Sequence, residues 1–117
     1  MRRKRAYDTA EASDGFRVLV DRLWPRGVSK EHAAIDLWAK DTAPSPELRK
    51  DWHAASDDDW STYADRYRAE LENETAPALE SLAGQLREHP IVTLVYAAHD
   101  EQHNHAVVLD AALRELL

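Results

Sequence analysis

The chain has 117 residues, enough for one modest hydrophobic core and too few for two independently stable lobes. It contains no cysteine, which excludes a disulfide framework, a thiolate metal site and a thiol nucleophile. The formal net charge of −7 is uneven: residues 1–30 carry eight Lys/Arg against four Asp/Glu, so the acid lies in the remainder. That balance disfavours a protein that coats nucleic acid and suits a basic pocket for a small anion.

Residues 3–8 read as a short, polar strand for a sheet edge, because Arg2, Arg3, Lys4 and Arg5 are too charged for a sheet interior. Turn chemistry in Ser13, Asp14 and Gly15 precedes residues 16–22, rich in β-branched and large apolar side chains, which predict a strand. Alternation sends Phe16, Val18 and Val20 to one face and Arg17, Leu19 and Asp21 to the other.

After the turn at residues 24–27, Ser29 caps a short helical segment with apolar positions Ala33, Ala34, Leu37 and Trp38. Ser45, Pro46 and Glu47 mark a second helix start, carrying Leu48 and Trp52 inward. Asp57, Asp58 and Asp59 open a third helix, whose stripe is Trp60, Tyr63, Tyr67 and Leu71. Pro77 ends or kinks it, and Leu79, Leu82, Ala83 and Leu86 continue a helical crossover up to the breaker His89-Pro90.

Residues 91–98 form a nearly continuous apolar run, the pattern of a central strand covered on both faces. A polar connection follows over residues 99–104, and Leu109, Leu113 and Leu116 place a closing helix over residues 106–117. The expected fold is α/β: a single compact domain over residues 1–117, with a small, mostly parallel sheet of about three or four strands flanked by helices. No apolar h-region opens the chain and no run approaches a membrane span, so a soluble, cytoplasmic protein without a membrane partner is expected.

If the two confident strands are parallel neighbours, the loops after them meet at the carboxyl edge of the sheet, where open α/β sheets bind ligands. Arg22 and Arg26 would offer planar forks to a phosphate or carboxylate, and the N-terminus of the last helix would add backbone N–H groups near Asn104. Asp21 would orient one arginine, His105 is the acid/base candidate, and Trp24 would cover a ring or a sugar. Ser45, Tyr67 and Glu70 stand in reserve. The expected ligand is a phosphorylated or carboxylated small molecule, a nucleotide among them.

Ordinary roles compete at each position. Asn104 fits the N-cap of the last helix, and the two arginines fit ion pairs with Asp21, Asp36 or Glu70. Trp38, Trp52, Trp60, Tyr63 and Tyr67 read as core aromatics rather than a stacking platform. His99, Asp100, Glu101, His103 and His105 invite a metal reading, but their spacing matches no motif with a known mechanism, so no metal or other cofactor is expected. The alternative is a non-enzymatic accessory protein contacting nucleic acid or a protein through residues 2–5.

The motifs Lys4-Arg5-Ala6-Tyr7-Asp8, Ser13-Asp14-Gly15, Asp21-Arg22-Leu23-Trp24-Pro25-Arg26-Gly27, Ala43-Pro44-Ser45, Leu48-Arg49, Glu70-Leu71 and Asn104-His105-Ala106 fall in one order. With Trp38 and Tyr67 they resemble the domain-of-unknown-function family 488, in its YeaO-like branch, over almost the whole chain. The resemblance implies a small bacterial α/β protein and supplies positions rather than a reaction. A sister branch carries Cys-His-Arg where this chain has Asn104-His105-Ala106, which keeps the histidine and removes thiol chemistry. His99 and His103 lie outside the family pattern, as does Asp51.

Overall fold

The computed structural model describes the backbone of residues 1–117 and every side chain except that of Asp57. Four strands, β1 (Arg2–Arg5), β2 (Phe16–Leu19), β3 (Leu37–Trp38) and β4 (Val92–Tyr96), form one sheet in the order β1-β4-β2-β3, every neighbouring pair parallel. Five α-helices are present among the described residues: α1 (Lys30–Ala33), α2 (Pro46–Ala54), α3 (Trp60–Glu72), α4 (Ala76–Leu86) and α5 (His105–Leu116). The α/β expectation and the edge position of the first strand both hold.

The alternation read from residues 16–20 decides how the sheet is covered. Val18 and Val20 join Leu94 and Tyr96 under Tyr67, Leu71, Leu82, Leu109 and Leu113 of the helical layer. Leu19 points the other way and packs with Ala6 and Val95, against Trp24 and Ile35. Both inner strands are therefore buried on both faces, which is why β4 reads as a continuous apolar run.

Local chemistry sets the ends of the elements. Gly15 enters β2 at φ 66° with its α-carbon so close to β4 that an added Cβ would lie 2.3 Å from the Ile91 carbonyl oxygen. The Ser45 hydroxyl accepts from the Leu48 N–H at 3.2 Å, and Pro46 begins α2 without needing a donor. Asp57–Asp59 form a 3-10 turn that runs directly into α3, and α3 ends at Glu72, before Pro77, which sits in the first turn of α4.

One expected element is corrected. Leu37 and Trp38 are not apolar positions of the helix capped by Ser29 but the strand β3. Ala34 turns left-handed at φ 47° and stops α1 after four residues. The Asp36 carboxylate then accepts from the Arg17 N–H at 2.8 Å, the Asp36 N–H donates to the Arg17 carbonyl at 2.9 Å, and the Ala39 N–H donates to the Leu19 carbonyl at 2.8 Å. These nonlocal bonds to β2 hold the segment extended, a tertiary override of local preference.

Candidate functional site

Because β2 and β4 are parallel neighbours, the loops leaving their carboxyl ends share one edge. There the structure has a cleft of about 580 Å³, walled by the turn after β2, the loop after β4, the start of α5 and one side of α2. Asp21, Arg22, Trp24, Arg26, Asn104 and His105 all line it. The reserve residues Ser45, Tyr67 and Glu70 do not.

The floor is fixed by Asp21. One carboxylate oxygen accepts from the Ala97 N–H at 3.0 Å, and the other is buried without a hydrogen-bond partner among the described residues, 3.0 Å from His105 Nε2, so this single side chain ties the turn after β2 to the end of β4 and stands against the start of α5. His105 Nε2 is also 3.1 Å from the Val20 carbonyl oxygen. A carbonyl only accepts, so the proton sits on Nε2 and Nδ1 is the nitrogen left for a ligand. Arg5 Nε donates to the Ala98 carbonyl at 2.9 Å, bracing the same edge from β1.

Asp21 thus does not orient an arginine as expected. Arg22 turns the other way, its Nε donating to the Pro44 carbonyl at 3.2 Å and its terminal nitrogen to the Ala43 carbonyl at 3.3 Å. None of the ion pairs considered for Arg22 and Arg26 forms: Asp36 is taken by the Arg17 N–H, and Glu70 by Ser45.

Asn104 caps α5, accepting from the Val107 N–H at 3.3 Å while its amide donates to the Asp100 carbonyl at 2.8 Å. The N–H groups of His105 and Ala106 remain without acceptors among the described residues. Asp100 folds the preceding loop by accepting from the N–H groups of His103 and Gln102 at 2.9 and 2.8 Å. Those two bonds, His103 first, hold its carboxyl below the ordinary aspartate value. Among the described residues no three His, Asp or Glu side chains converge as a metal-binding group.

The reserve groups are structural. Glu70 accepts from both the N–H and the hydroxyl of Ser45, at 2.9 and 2.6 Å, clamping the start of α2 to α3. Tyr67 is fully buried, donates to the Thr42 carbonyl and packs edge-on against His105 at 6.2 Å. Burial first, and then Glu70 and Asp21, push its hydroxyl well above the ordinary tyrosine value against the pull of Arg22, so it stays un-ionised at neutral pH.

Two cleft residues escaped the site reading from sequence. Arg49 and His53 stand one turn apart on α2, and both line the cleft. The signal was their i, i+4 spacing, but it does not say which way α2 faces. Partial burial, then Arg49 and His105, push His53 below the ordinary histidine value, opposed by Asp21. Trp52 also lines the cleft, and Trp38 is exposed beside β3, so the core assignment fails for Trp38 and is incomplete for Trp52.

Arginine partners separate the cleft from the rest of the surface. Of eleven arginines, nine donate a hydrogen bond or form an ion pair. The two that do neither among the described residues are Arg26 and Arg49, and both line the cleft.

A family model described as the inactive DUF488-N3 subclade matches residues 1–117. The chain belongs to this family. It is 46% identical over 113 residues to the uncharacterized protein YeaO of Escherichia coli (strain K12), covering 97% of this chain and 96% of that protein. It is 40% identical over 106 residues to the uncharacterized protein Mb3100c of Mycobacterium bovis, covering 90% of this chain and 86% of that one. No solved structure matches. In this DUF488 chain, no described helix is long and apolar enough to cross a membrane.

Proposed function

We propose that the carboxyl-edge cleft binds a small phosphorylated or carboxylated molecule and holds it rather than turning it over. The observation that carries this reading is that Arg26 and Arg49, the two arginines without an anionic or carbonyl partner among the described residues, lie on the same cleft. They come from different elements, a loop and a helix, and the free N–H groups at the start of α5 add a third source of positive potential. An oxyanion with several acceptor lone pairs matches that donor set.

Binding without turnover follows from the fate of the reactive groups. The chain has no thiol, the Ser45 hydroxyl is given to Glu70, the Tyr67 hydroxyl to Thr42, and His105 Nε2 to the Val20 carbonyl. His105 Nδ1 and His53 remain as bases, but among the described residues no hydroxyl or thiol side chain lines the cleft to serve as their nucleophile. The family's description as inactive agrees with that reading. A nucleic-acid role through residues 2–5 is weaker, because Arg2, Arg3, Lys4 and Arg5 all bond within the chain, to Ser13, Asp110, Glu11 with Asp14, and Ala98.

Calorimetric titration with a panel of sugar phosphates and polycarboxylates tests the proposal. At least one should bind, and Arg26→Ala and Arg49→Ala should each weaken it by about tenfold, the scale of one lost charge-assisted contact. Affinity unchanged in both variants, or no binding at millimolar ligand, would overturn it.

A further inference from the structure

We propose that the anion taken by the cleft is carried on a planar aromatic ring, with Trp52 as the wall on which the ring stacks. This rests on the anion reading above and narrows it. Arg49, Trp52 and His53 occupy positions i, i+3 and i+4 of α2, a spacing that puts them on one side of the helix, and all three line the cleft. A charge contact and an aromatic surface therefore stand side by side on one rigid element.

Trp52 is only half-buried, but its ring is held on several sides. Trp60 lies 5.5 Å away at 40°, Tyr63 at 6.2 Å and 21°, and Tyr67 edge-on at 6.2 Å and 61°. Trp60 is itself stacked on His103 of the loop after β4, at 4.9 Å and 13°. The indole thus has one orientation before a ligand arrives, which removes an ordering cost from binding.

The rest of the lining points the same way. Trp24 brings a second indole, fixed by its N–H to the Val28 carbonyl at 2.7 Å and by edge contact with Trp38 at 5.6 Å. Leu23, Pro25, Ala97 and Ala98 complete an apolar surface that inorganic phosphate or a small polyol phosphate would leave wet. A volume of about 580 Å³ admits a nucleoside monophosphate or an aryl carboxylate. Both present one flat face to an indole and one oxyanion to a guanidinium.

Calorimetry and tryptophan fluorescence on the full chain, with adenosine monophosphate, benzoate and ribose 5-phosphate as probes, separate the possibilities. At least one ring-bearing anion should bind about tenfold tighter than ribose 5-phosphate, the scale of stacking a ring on an indole. Trp52→Leu should abolish that advantage by weakening the ring-bearing probe far more than ribose 5-phosphate, Trp52→Phe should keep part of it, and Arg49→Ala should weaken every probe. Stronger binding of adenosine monophosphate than benzoate would assign a nucleotide, and the reverse an aryl carboxylate. If Trp52→Leu fails to fold, the graded loss in Trp52→Phe carries the test.

Ribose 5-phosphate binding as tightly as both ring-bearing probes, with Arg49→Ala still weakening it, would overturn the ring requirement and leave the anion reading standing. Selectivity unaltered in the Trp52 variants would also overturn it. Binding of no probe would remove both.

Discussion

The charges around Asp14 and those around the cleft are drawn from the same residue types and end in opposite states. Asp14, 2% exposed ahead of β2, accepts from Arg17 at 2.6 Å, from the Glu11 N–H at 3.0 Å and from Lys4 at 3.3 Å. Burial works to raise its carboxyl, but the Glu11 N–H, Lys4 and Arg17 outweigh it and hold the group below the ordinary aspartate value. At the cleft, Arg26 and Arg49 face solvent space with no such partner among the described residues. An arginine alone says little about function; an arginine left unpaired in a chain that pairs the other nine says more.

That contrast predicts a graded set of mutational effects. Asp14→Ala should be the most damaging, because it strands the buried Arg17 guanidinium, and a broken buried pair costs about 3–5 kcal/mol in urea denaturation. Glu70→Ala should follow at about 1–3 kcal/mol, since it frees the Ser45 N–H and hydroxyl at the α2 start. Arg26→Ala and Arg49→Ala should change stability by less than about 0.5 kcal/mol, as expected where nothing is bonded. A large loss in either would show a structural role and dissolve the contrast.

The smallest effect concerns pH. With His53 lowered from 6.5, the unfolded chain takes a proton that the folded chain refuses between the lowered value and 6.5. Its contribution to stability is present above 6.5 and declines as pH falls through that window. A bound anion beside His53 reverses the preference, so binding should tighten on acidification and take up protons, measurable by calorimetry in buffers of different ionisation enthalpy. Asp14 behaves in the same sense lower down: its contribution is present above the ordinary aspartate value of 3.8 and lost as pH falls through its depressed value.

Much of the architecture was legible because β2 and β4 are apolar runs and the helices carry leucine or aromatic stripes, and the carboxyl-edge location followed from their parallel pairing. β3 was not legible, because two residues have no period and Leu37 and Trp38 are recruited by backbone bonds to β2. The Asp21 role was misread for a geometric reason. β2 ends at Leu19 and the chain bends at residues 21–23, so strand alternation no longer sets the directions there: Asp21 meets β4 and His105 while Arg22 meets the carbonyls of Ala43 and Pro44. Arg26 stood out in its Pro-Arg-Gly turn, whereas Arg49 and His53 become visible only once the facing of α2 is known.

The central claim, that the unpaired arginines mark an anion site, is tested most directly by an amide and guanidinium NMR titration with millimolar ribose 5-phosphate and adenosine monophosphate. The account predicts saturable shifts at Arg26, Arg49, His53 and the N–H groups of His105 and Ala106, with residues 2–5 unmoved. Shifts concentrated at residues 2–5, or none at the cleft with either probe, would contradict it.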